Sequence, residues 1–179
     1  MLQRFKNLFI LGFLSMLLAA CGGGGDFTSS PGIPEFNGTW VSDCETDGTI
    51  SAIDTTTIAG TSATVVLDEY SSTDCSGSVS NTSILKATLF YGLDVPTASS
   101  VCTNVKEVDF NITSINLNGT ELTVAGIILF SGLPTTTIYD LICSEGNQLF
   151  TGELTATLDG STAAKRPEYM DHSYPLTKK

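Results

Sequence analysis

The densest set of potential ligand atoms in the sequence lies in one run of twelve residues, Asp43-Cys44-Glu45-Thr46-Asp47-Gly48-Thr49-Ile50-Ser51-Ala52-Ile53-Asp54. Carboxylates stand at positions 1, 3 and 5, glycine at 6, isoleucine at 8 and an acid at 12. That order matches an EF-hand calcium loop, in which a hard cation collects oxygens around a sharp turn. Asp43, Glu45, Asp47 and Asp54 are therefore the candidate calcium ligands. Three features weigh the other way. The flanking residues have the composition of strands rather than helices, Asp54 is shorter than the usual bidentate glutamate, and Cys44 is available for a disulfide. A solvated acidic hairpin is the simpler reading.

The remaining chemistry is sparse. His172 is the only histidine, so any serine–histidine–aspartate relay would have to run through a residue in the last part of the chain. Carboxylates are abundant, but no pair falls in a pattern that sets up general acid–base hydrolysis. No phosphate-cradling glycine loop or Cys-x-x-Cys zinc pair occurs. The sequence supplies no catalytic residue and no cofactor, and it reads as a protein that is not an enzyme. Asn37, Asn81, Asn111 and Asn118 head N-x-S/T triplets, which a chain rich in Asn, Ser and Thr produces by chance.

Residues 1–20 have the layout of an export signal. Arg4 and Lys6 supply the charge, Leu8–Leu18 the apolar stretch, and small residues follow. The stretch is shorter than the roughly 20 residues that a spanning helix needs. Leu18-Ala19-Ala20-Cys21 resembles the lipobox of bacterial lipoproteins. That resemblance implies cleavage before Cys21 and acylation of its thiol and new amino terminus, with signal-peptide and palmitate chemistry to match. Two or more acyl chains hold a membrane stably. Gly22, rather than Asp, after the cysteine points to the outer membrane, with the domain in the periplasm or at the cell surface.

Removing the leader takes two positive charges, leaving six basic against nineteen acidic residues and a net charge of −13. Such acidity argues against nucleic acid as a partner. Acylation of Cys21 leaves Cys44, Cys75, Cys102 and Cys143, an even set that reads as two disulfides in an exported protein. In an up-and-down meander Cys102 falls at the opposite end from the other three, so the long connection near residues 92–104 must climb the wall. Local loop closure favours Cys44 with Cys75 and Cys102 with Cys143.

The elements that would position these groups are strands. Residues 21–34 form a Gly/Ser/Pro tether, 35–162 the domain, and 163–179 an extended tail rather than a strand. Alternation and turn residues predict strands at 36–44, 50–58, 62–71, 78–91, 105–117, 120–130, 135–143 and 147–158. Asn118-Gly119 is the strongest hairpin signal, with further turns at Gly60, Ser76-Gly77 and Gly132-Leu133-Pro134. Val108, Phe110 and Ile112 share one parity while Ile115 and Leu117 take the other. A bulge near Thr113-Ser114 would return all five to the core. Eight strands with short links close most economically as an all-β, eight-stranded up-and-down antiparallel barrel; a two-sheet β-sandwich is the alternative.

Phe36-Asn37-Gly38-Thr39-Trp40 places a G-x-W on the first strand. With the strand count, this resembles the lipocalin and calycin group, whose eight-stranded barrels carry an apolar cup. The resemblance implies that Trp40 packs across the closed end with Arg166 over its ring. Gly38-Thr39-Trp40 followed by Cys44, and Tyr70 followed by Asp74-Cys75, also resemble small cysteine-containing bacterial lipoproteins, which imply no activity. The expectation is an outer-membrane lipoprotein that binds a small apolar ligand in its barrel. The alternative is a structural or protein-interaction lipoprotein with a packed core.

Overall fold

The computed structural model describes residues 32–95, 98, 101–123 and 136–179. Among these lie ten strands: β1 (Gly38–Val41), β2 (Glu45–Asp47), β3 (Ile50–Ala59), β4 (Ser62–Tyr70), β5 (Val79–Asp94), β6 (Lys106–Leu117), β7 (Thr120–Glu121), β8 (Thr137–Glu145), β9 (Gln148–Thr151) and β10 (Leu176–Lys178). Eight of them form a closed antiparallel ring in the order β1, β3, β4, β5, β6, β8, β9, β10, with β10 returning to β1. The fold is the expected eight-stranded barrel. Strands β2 and β7 lie outside the ring, each continuing an edge that a ring strand has left: β2 follows β1 along β3, and β7 pairs with β6 beyond the end of β8.

Local sequence explains most of the register. Asn118 and Gly119 both take positive φ, 48° and 87°, as the two central residues of a tight hairpin require, and Leu117 pairs with Thr120 across them. Along β5 and β6 the register slips so that Lys86 opposes Ser114 while Ala87 opposes Ile112. Thr113 is the extra residue, and its hydroxyl donates to the Lys86 carbonyl at 3.1 Å. The expected bulge is there, and it brings Val108, Ile112 and Ile115 all into buried positions.

The eighth ring strand is not the one expected. Of the strand anticipated at 120–130, β7 covers two residues off the ring, and residues 124–135, with the turn at Gly132-Leu133-Pro134, lie outside the described residues. The ring is completed instead by β10, from the segment expected to lie across the domain rather than to form a strand. Leu176 pairs with Leu149 of β9, and Lys178 with Trp40 of β1. The physical reason is edge pairing. Without β10, β1 and β9 would each present unpaired backbone groups, and three residues suffice to satisfy both. The strand expected at 36–44 covers only Gly38–Val41, and that expected at 147–158 ends at Thr151.

Two cores result. Inside the barrel, Phe36, Trp40, Ile58, Leu89, Val108, Ile142, Leu149 and Leu176 pack together and close one end. On the outer wall, Leu141 and Cys143 of β8 and Phe150 of β9 are covered by Ala98, Cys102, Val105 and Met170. The disulfide Cys102–Cys143 pins the connection that follows β5 across this wall, while Cys44–Cys75 ties the start of β2 to the β4–β5 link. Closing loops of 31 and 41 residues, each bridge stabilises the fold by about 4 kcal/mol through the unfolded chain.

Because β10 is so short, Leu176 carries its anchorage. We expect Leu176→Ala to destabilise the fold by about 2–5 kcal/mol. Thr177→Ala, at an exposed position one residue on, should stay within about 0.5 kcal/mol. Urea unfolding followed by the fluorescence of Trp40, the only tryptophan, measures both.

Candidate functional site

The closed end of the barrel is organised around Trp40, which is almost completely buried. Its indole N–H donates to the Phe36 carbonyl at 2.8 Å, from the 3-10 turn Pro34–Phe36 that plugs this end. The Phe36 ring lies 5.7 Å from that of Tyr91. Lys178, directly across from Trp40 in the β1–β10 ladder, lays its ammonium 4.8 Å from the indole centre. This cation–π contact gives Gly38 a specific role. A Cβ at Gly38 would meet the Lys178 Cε at 2.7 Å, and its φ of 140° is one that side chains rarely adopt.

The cation on the indole is therefore Lys178, not Arg166 as expected. The tail continues past Arg166 to β10, so the residue that reaches Trp40 comes from the strand beside β1. Arg166 remains at the outer wall, where its Nη1 donates to the carbonyls of Val108 (2.9 Å) and Asp140 (2.7 Å) and its Nη2 to Asp109 at 2.6 Å. Its guanidinium also stands 5.5 Å from the Tyr139 ring centre. It clamps the tail onto β6 and β8.

Inside the ring lies a partly open cavity of about 130 Å³. Its walls are apolar: Ile58, Val65, Leu85, Phe110, Ile138 and Leu149 face it, with Leu154 contributed by the segment after β9. Polar lining comes from Thr56, Asp140, Thr151 and Asp159. Asp140 and Asp159 are both engaged with protein groups. An Asp140 oxygen accepts from the backbone N–H groups of Leu141 and Gly152, at 2.7 and 2.9 Å. Partial burial works to raise the Asp159 carboxyl, but hydrogen bonds from Ser161 and the Lys165 ammonium outweigh it and hold it below its ordinary range.

The calcium loop does not form. Asp47 pairs with Ile50 around a Gly48-Thr49 turn, and Glu45 with Ala52, so the run is pulled straight into a β2–β3 hairpin. Asp43 and Asp47 are exposed and Glu45 half-buried, whereas Asp54 is only 1% exposed rather than solvated. No group of three or more side chains able to hold a metal occurs among the described residues. His172 stacks edge-on against Phe150 of the outer core, 5.3 Å between rings. Cys21 and residues 1–20 lie outside the described residues.

Asp54 is the residue whose role the motif reading missed. Its signal was parity: Ala52, Thr56 and Ile58 share its face of β3, and all are buried. One oxygen accepts from the Thr56 hydroxyl at 2.9 Å, and the other has no partner. Its main chain is bound to Ser42, which donates its N–H to the Asp54 carbonyl and accepts the Asp54 N–H on its hydroxyl. Burial, with a smaller contribution from Glu45, pushes the carboxyl up to about 7, against the opposing Thr56 hydrogen bond.

No protein-family model matches the sequence, and a search of the curated proteins finds no match.

A raised carboxyl means that the folded chain holds a proton which the unfolded chain has released. Asp54 thus favours folding fully below its unfolded value near 4, and this contribution is lost as pH rises through about 7. We expect Asp54→Asn to remove a fall in stability on the order of 2–3 kcal/mol between pH 5 and 8, read as urea midpoints at the two pH values.

Proposed function

We propose that this chain is a lipoprotein of the outer membrane whose barrel binds a small apolar ligand. The observation that carries this reading is the cavity of about 130 Å³ bounded by aliphatic and aromatic side chains. Its size is close to that of an apolar cavity of ~150 Å³ that stays dry and takes up benzene. A barrel with its interior filled would have favoured a purely structural or protein-interaction role instead. The lipobox at Leu18–Cys21 supports the anchoring half of the proposal. Held by acyl chains and a short tether, the domain would meet apolar molecules where they partition, beside the bilayer.

The expected strength follows from the area to be covered. Burying the seven carbons of toluene at about 0.8 kcal/mol each gives 5–6 kcal/mol, a Kd on the order of 0.1 mM. Toluene at about 1 mM should then raise folding stability by about 1.4 kcal/mol. Val65→Phe, which pushes a ring into the cavity, should abolish the rise. Equal urea midpoints with and without toluene in the unaltered chain would rule out the ligand-binding reading. For the anchor, Cys21→Ala should eliminate labelling by radioactive palmitate and move the protein from the membrane to the aqueous fraction on detergent phase separation.

A further inference from the structure

We propose that the ligand of the barrel carries a single cationic amine, and that the amine is seated against Asp54. The inference rests on the reading of the barrel as a ligand cavity and names the chemical class that the cavity selects. Two buried side-chain oxygens among the described residues lack a hydrogen-bond partner, Asp54 Oδ2 and Asn104 Oδ1. Asn104 is joined through its amide nitrogen to Glu35 near the closed end, at 2.9 Å. Asp54 is outside the cavity lining but lies on β3 one inward position beyond Thr56, which lines the cavity and donates to its other oxygen. Strand alternation puts Asp54 on the same face as Thr56 and Ile58, the two β3 residues that face the cavity. A buried carboxylate oxygen left unpaired is costly, and a donor brought by a ligand removes that cost.

The surroundings favour a positive donor. Across the ladder from Asp54 stands Leu67 of β4. One inward position further along, Glu45 of β2 and Glu69 of β4 both pair with Ala52, so the charges sharing this face on the neighbouring strands are acidic. From β1, Ser42 offers only a hydroxyl, which already accepts the Asp54 N–H. The cation nearest in the ladder, Lys178 of β10, lies on the Trp40 indole. A metal ion is a poor fit, since calcium takes six to eight oxygens and no triad of ligands assembles among the described residues. An ammonium needs one carboxylate and an apolar wall for its carbon skeleton, and charge-assisted hydrogen bonds are the stronger kind.

The test uses toluene, benzyl alcohol and benzylamine, which share a ring and differ in one group, with the full chain at pH 8. Dissociation constants come from ligand-observed NMR. We expect benzylamine to bind at least tenfold more tightly than toluene, with benzyl alcohol between them. In Asp54→Asn the preference should shrink to twofold or less while toluene binding is unchanged. Should the variant not fold, the unaltered chain at pH 5, where Asp54 is protonated, should lose the same preference. Equal affinities in the unaltered chain at pH 8, or a preference that survives Asp54→Asn or pH 5, would overturn the assignment to Asp54 and leave the cavity reading standing. Failure of all three molecules to bind would overturn both.

Discussion

Everything in this molecule depends on closing the ring with three residues, Leu176–Lys178. An eight-stranded barrel is stable because it has no edges, and here the last edge is sealed by the end of the chain. The pairing partners of β10 are distant in sequence, so its closure entropy is large relative to three residues of ladder. The fold offsets this by fastening the tail at points upstream of β10. Arg166 grips two main-chain carbonyls and Asp109 on the outer wall. Met170 bridges Gly152 and packs into the outer core beside Cys102–Cys143. The segment leading to β10 is thus held at several points, and Lys178 completes the seal by lying on Trp40.

This arrangement also explains how the barrel tolerates a hollow interior. At about 24 cal/mol per Å³, a closed cavity of 130 Å³ would cost about 3 kcal/mol, an upper figure for this partly open one. Either disulfide contributes about as much by restricting the unfolded chain. The outer core adds stability from side chains that never face the lumen. Stability is therefore displaced to the wall, and the lumen is freed from the requirement of dense packing.

The sequence made the architecture legible wherever the signal was local. Asn118-Gly119 fixed a hairpin, the change of parity after Ile112 marked the bulge at Thr113, and the two local cysteine pairings formed as the loop argument favoured. It misled wherever the answer was a long-range pairing. Nothing in Pro175-Leu176-Thr177-Lys178 distinguishes a strand from an extended tail, because what makes it one is the gap between β1 and β9. The same gap brings Lys178, not Arg166, to Trp40. The acidic run Asp43–Asp54 failed for a related reason. Its carboxylates have the spacing of a metal loop, but β3 offers the backbone a continuous ladder that outweighs a single cation's coordination.

The contrast between two carboxylates of the barrel is the clearest guide to what the lumen is for. Asp140 lines the cavity, yet one of its oxygens is bound by the N–H groups of Leu141 and Gly152, and a Cβ at Gly152 would come within 2.5 Å of it. That carboxylate is part of the wall, tying β8 to Gly152 just after β9. Asp54 is more deeply buried, yet a single hydroxyl, that of Thr56, serves its carboxyl. Its neighbour positions on the inward face are Ala52 and Thr56, so an apolar residue could have been accommodated there at no electrostatic cost. Retaining a carboxylate with a spare oxygen beside an apolar cavity stores unsatisfied hydrogen-bonding capacity where it is most costly. On the proposed reading this would make occupancy selective, because a ligand that supplies the missing donor would recover a cost that a purely apolar ligand of the same shape leaves in place.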